Sequence, residues 1–129
     1  MADSQDSWVP RGPGRVVRAF VWSMQGLQAG FRTESSVRLE MYLLCLFIPL
    51  ALYLGRDGVE RAVLFASLLP VLAAELLNSA IELVVDKLWP ELHEWAGRAK
   101  DMGSAAVFVC MVNMLVCWGL VLWPRLSGQ

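Results

Sequence analysis

Glu75, Asn78, Ser79, Glu82 and Asp86 punctuate an otherwise apolar stretch that runs from Ala62 to Val85. On a helix turning about 100° per residue they fall on one stripe. With Glu75 as origin, Ser79 lies at about +40°, Glu82 at about −20°, Asp86 at about +20° and Asn78 at about −60°. The stripe climbs about 16 Å from Glu75 to Asp86. Carboxylates in such a row are hard oxygen donors suited to Mg²⁺, which phosphoryl-transfer sites hold with one or two carboxylates plus substrate phosphate. A carboxylate set deeper in the row is placed to take a proton as a general base. The competing reading is a polar network that only locks helices together, with Asn78 as interhelical glue. That reading suits Asn78 and Ser79. Three acids on one face, each costing on the order of 2.5–3.5 kcal/mol to insert in a bilayer, point to chemistry instead.

A second set follows. His93, Gly97, Lys100 and Ser104 fall within about 60° of one another if one helix carries them, with Asp101 alongside. Lys100 suits a phosphate oxygen, and equally suits anchoring at a membrane edge. His93 has no second His or Cys at ligand spacing, which argues against a zinc site. Glu34 and Arg38 lie where an amphipathic segment meets the first apolar run. The sequence contains no GxxxxGK[ST], GxGxxG or GxSxG motif.

The elements that position these residues are membrane helices. The chain of 129 residues is 57% apolar and 18% charged, poor material for a solvated globule. Ser104–Trp123 is twenty residues with Ser104 and Asn113 its clearly polar members, long enough to cross roughly 30 Å of hydrocarbon. Met41–Gly55 carries no charge. The fold class expected is an all-α membrane protein with three transmembrane helices, spans at about 37–55, 59–88 and 104–123. An amphipathic surface helix at about 15–33 precedes them, with Val17, Phe20, Val21, Met24, Leu27 and Phe31 on one side and Arg18, Gln25 and Arg32 on another. Residues 1–14 read as a mobile tail, leaving 15–129 as a single membrane-embedded domain. Arg56-Asp57-Gly58 reads as a turn, and Trp89-Pro90 as the end of the second span.

Charge orients the chain. Of eleven Lys and Arg, five lie before Met41 and three between the second and third spans. The positive-inside rule puts those segments in the cytoplasm and the C-terminus outside. Cys45, Cys110 and Cys117 all fall within spans, so they read as packing residues, not a disulfide framework. The net charge of −1 argues against nucleic-acid binding. An acidic stripe must be covered by protein or water, and three helices leave part of it facing lipid, so self-association is expected.

The run Glu75-Leu76-Leu77-Asn78-Ser79-Ala80-Ile81-Glu82-Leu83-Val84-Val85-Asp86 resembles the signature of the prokaryotic integral-membrane diacylglycerol kinases at every position, and Gly97–Ser104 resembles the family's second block. The resemblance covers about residues 15–123. It implies a homotrimeric bundle with active sites shared between protomers. It also implies ATP-dependent phosphorylation of diacylglycerol to phosphatidic acid at the inner-membrane interface. By that resemblance Glu75 is the catalytic base, Glu34 and Glu82 hold Mg²⁺, and Arg15, Trp22, Glu34, Glu82, Glu91, Leu92, His93, Lys100 and Asp101 bind ATP. Arg15, Glu75 and Ser104 meet the lipid, with Asn78 and Asp86 in support. Trp22 stands where the family has tyrosine, and Ala96 where it has serine. Two rivals use the same residues: a polyprenol kinase acting on undecaprenol, and a non-enzymatic oligomer that conducts ions.

Overall fold

The computed structural model describes residues 12–91 and 93–128. Residues 1–11 of the expected tail, and Leu92 of the expected nucleotide site, lie outside the described residues. Five helices follow one another among the described residues: α1 Pro13–Thr33, α2 Ser35–Leu54, α3 Gly58–Ala66, α4 Leu69–Leu88 and α5 Glu94–Leu126. No strand occurs among the described residues. α2, the pair α3–α4 and α5 are each long and apolar enough to cross a membrane. The protein is thus an all-helical, multi-pass membrane protein.

α1 begins at Pro13, two residues earlier than its apolar period suggests. Proline at the first helical position costs nothing, because the N–H it lacks would be unpaired there anyway. None of its residues is buried, and Val16, Val17, Phe20, Val21 and Trp22 stand exposed on it. Only its C-terminal end touches the bundle. There Gly30 comes so close to α4 that a Cβ would sit 2.9 Å from Leu76 Cδ2, and Phe31 meets Tyr42 edge to face at 5.7 Å. One extended residue, Glu34 (φ −108°, ψ 118°), separates α1 from α2.

The second span is expected as one helix but is broken at Ser67–Leu68. Pro70 is the cause. It has no N–H for the carbonyl of Ala66, so the α ladder cannot run through, and Ser67 Oγ turns back to donate to Leu64 O at 2.8 Å. Pro49, by contrast, sits within an unbroken α2. At the start of α3, Asp57 accepts from the Glu60 N–H at 2.8 Å and Glu60 accepts from the Arg56 N–H at 2.8 Å, a reciprocal N-terminal cap.

The third span, α5, also differs from its apolar run, starting at Glu94 and not near 104. Hydrogen bonding, not apolarity, sets helix ends. Gly97 N–H already donates to His93 O at 3.0 Å, so Arg98, Lys100 and Asp101 ride on the same helix as the membrane segment. The packed core is Leu44, Ala51, Leu64 and Leu68, walled by Phe47, Leu72, Met114 and Trp118. Trp118 stands edge-on to Phe47 at 5.4 Å and donates its indole N–H to Leu64 O at 3.3 Å. This core occupies the half of the bundle remote from Asp86 and His93.

Candidate active site

The site is built on the contact between α4 and α5. Gly103 is pressed against Asn78, and a Cβ at 103 would strike Asn78 Oδ1. That oxygen is buried with no N–H or O–H donor among the described residues. Its neighbour is the glycine Cα–H, a weak donor of the kind that recurs at close helix contacts. The other end of the amide is engaged: Asn78 Nδ2 donates one N–H to Glu82 Oε1 at 3.1 Å. The glycine therefore lets the helices approach, the approach fixes the amide, and the amide orients the carboxylate.

Around that pair the stripe has the burial its pattern demands. Ser79 is buried, Glu75 and Glu82 are half-buried, and Asp86 is exposed at the helix end. A cleft of about 190 Å³ separates the end of α1 from α4, and Glu34 and Ser79 both line it. Glu34 is held from its own side by the Thr33 hydroxyl, 3.3 Å from Oε1. A residue the sequence pattern did not single out also joins the stripe. Glu40 of α2 is half-buried and close enough to Glu75 for the two carboxylates to repel. The signal was present, since Glu40 is an acid at the edge of an uncharged span, subject to the same cost as Glu75.

A second cleft of about 100 Å³ opens where α4 turns into α5, lined by Asp86, Glu91, His93, Gly97 and Lys100 among others. Lys100 Nζ donates to Asp86 Oδ1 at 2.9 Å. The His93 ring stacks on Trp95 at 6.0 Å, and Trp95 meets Trp89 edge to face at 4.4 Å. The structure thus unites Asp86, Glu91, His93 and Lys100 in one cleft. Asp101 and Ser104 are exposed and line neither cleft. Arg15 and Trp22 project from the free part of α1, away from both. Among the described residues no three His, Cys, Asp or Glu side chains converge as a ready-made metal cage.

These features define a small multi-pass membrane protein with carboxylates along one face of its bundle. A profile of the family described as prokaryotic diacylglycerol kinase matches residues 21–122. A diacylglycerol kinase of Haemophilus influenzae is 42% identical over 112 residues, covering 87% of this chain and 95% of that protein. The Escherichia coli K12 diacylglycerol kinase is 40% identical over 111 residues, covering 86% and 91%. That of Pseudomonas aeruginosa is 41% identical over 111 residues, covering 86% and 90%. The chain belongs to the prokaryotic diacylglycerol kinase family and is an enzyme of that class.

Proposed function

We propose that the protein transfers the γ-phosphoryl group of ATP to the free hydroxyl of diacylglycerol, releasing ADP and phosphatidic acid. The observation that carries this reading is Glu75: a half-buried carboxylate on α4 that makes no hydrogen bond among the described residues. A carboxylate left unpaired at membrane depth is available to a substrate proton. The lipid oxygen attacks the γ-phosphorus, the bond from that phosphorus to the β–γ bridging oxygen breaks, and the hydroxyl proton passes to Glu75. Phosphoryl transfer asks the protein chiefly for in-line positioning and neutralised charge.

Glu34 and Glu82 suit Mg²⁺ by donor chemistry. Both are half-buried carboxylates, and Glu82 commits only Oε1 to Asn78. Two carboxylates without a third ligand match a hard cation whose remaining partners are phosphate and water. When bound, such an ion neutralises charge on the transferred group. The cleft of Asp86, Glu91, His93 and Lys100 suits the nucleotide, with Lys100 as the cation for its phosphates and Trp89 and Pro90 as its apolar wall beside His93. Arg15, Trp22, Asp101 and Ser104 line neither cleft of one chain. They fit the reading if the site is completed by a second copy, as a homotrimer in the inner membrane would allow.

One assay tests the whole reading. Purified protein is given ATP, Mg²⁺ and a soluble short-chain diacylglycerol, and ADP release is followed together with the lipid phosphate. Lipid-dependent ADP release is expected. Equal turnover of undecaprenol would move the assignment to a polyprenol kinase, and pH-dependent conductance without turnover would make it a channel. For orientation, reporters fused at Gln129 are expected to be active outside the cytoplasm.

A further inference from the structure

Ser79 sits within the acidic stripe, yet its hydroxyl has no partner in the chain. Other hydroxyls on these helices turn back onto their own backbone. Ser23, Thr33 and Ser127 donate to the carbonyl four residues earlier at 2.8, 3.0 and 3.0 Å, and Ser67 to the carbonyl three earlier at 2.8 Å. Back-bonding of this kind is the ordinary way a helical serine or threonine meets its hydrogen-bonding capacity. Ser79 makes no hydrogen bond among the described residues, although only 9% of it is exposed. A buried hydroxyl without a partner is costly, which marks the group as open to a ligand.

It faces the cleft of about 190 Å³ between the end of α1 and α4, where Gly26, Gly30 and Ala80 keep the walls small. The polar side chains lining that cleft are Thr33, Glu34 and Ser79. Thr33 is already engaged with Ala29 O and Glu34 Oε1. Glu82 lies outside this lining. Ser79 stands three residues before it on α4, a spacing that sets two side chains next to each other, about 5–6 Å apart at Cβ. Ser79 thus shares a cleft with Glu34 and a helix face with Glu82. Among the described residues no third His, Cys, Asp or Glu joins those two acids, so a further protein ligand there would be a neutral oxygen. Hydroxyls are hard donors of that kind, and phosphoryl-transfer sites place serine or threonine on Mg²⁺.

We propose that the Ser79 hydroxyl is a third protein oxygen for the divalent cation, linking Glu34 across the cleft to Glu82 along α4. It takes a position otherwise left to water. The inference rests on the assignment of Glu34 and Glu82 to the ion made above, and adds the residue that brings the two together.

The test uses the full chain in detergent with Cys45, Cys110 and Cys117 replaced by alanine, together with a non-hydrolysable ATP analogue. Its readout is the unfolding midpoint as Mg²⁺ or Cd²⁺ is titrated, since an ion that binds the folded state raises it. Ser79→Ala is expected to need on the order of tenfold more Mg²⁺ for the same rise, the low end of what a metal site loses with one supporting group. Its midpoint without ion should match the parent's, because no bond inside the chain is removed. Ser79→Cys should shift preference from Mg²⁺ toward the softer Cd²⁺ by a similar factor, since thiolate favours soft ions. A Ser79→Ala titration that overlays the parent's would overturn the proposal. So would a weakened Ser79→Ala titration without the Cd²⁺ shift in Ser79→Cys. No ion-dependent rise in the parent, or a rise that Glu82→Gln leaves unchanged, would overturn the ion assignment itself and this inference with it.

Discussion

The two ends of this bundle use the same residue types to opposite purposes. Away from the acidic stripe, Glu60 accepts from the Arg56 backbone and forms an ion pair with Arg125, whose guanidinium also donates to Leu54 O. Arg61 donates to Gly55 O at 3.1 Å. The pair is largely shielded, with 20% and 27% of the two side chains exposed. At the other end the exposed Asp86 is paired with Lys100 at 2.9 Å, but the half-buried Glu75 and Glu34 make no ion pair among the described residues, and Glu82 gives one oxygen to an amide. A shielded carboxylate with its charge met inside the chain is a fastener; a half-buried one with its charge unmet is open to a ligand. Partnership, not residue type, separates the two.

Substitutions break or sharpen that contrast. Glu75→Gln is expected to lower kcat by about 10²–10⁴-fold, the usual worth of a general base, with ATP affinity and folding retained. Single-turnover phosphorylation of a soluble short-chain diacylglycerol by the wild type and the variant checks it. Normal turnover would put Glu75 among the fasteners. Glu82→Gln should weaken apparent ATP affinity on the order of 10–100-fold, the scale of a lost contact to a charge. Glu82→Asp should recover partly as Mg²⁺ is raised. An unchanged ATP titration would remove Glu82 from the ion.

Two smaller effects probe the structure beneath. Gly103→Ala forces Asn78 aside and should cost about 1–3 kcal/mol of stability, read as a lower unfolding midpoint in detergent. Activity should fall with it, because Asn78 holds Glu82. Glu60→Gln at the opposite end should cost about 1–2 kcal/mol and leave kcat untouched. A catalytic defect in Glu60→Gln would mean that the two ends are coupled.

How far the sequence could be read follows the same physics. The stripe from Glu75 to Asp86 was legible because charges in a membrane helix are rare and expensive, and helical geometry fixes their common face. The lengths of the helices were less so. Pro70 broke a span that periodicity ran together, and α5 extended ten residues beyond its apolar run because helices tolerate Arg98, Lys100 and Asp101. The Asn78–Gly103 contact was invisible, since nothing in either residue names its partner across the bundle. Glu40 was visible and passed over at the edge of its span. Arg15, Trp22, Asp101 and Ser104 could be named only by resemblance, and one chain does not bring them to either cleft.

The single extended residue between the first two helices has a mechanical consequence. Glu34 is a joint: α1 ends just before it, and α2, the first helix apolar enough to cross a membrane, starts just after it. A carboxylate assigned to the ion is thus mounted on the pivot itself. A rotation about the φ or ψ of Glu34 turns α1 against α2, and moves that carboxylate relative to Glu82 on α4.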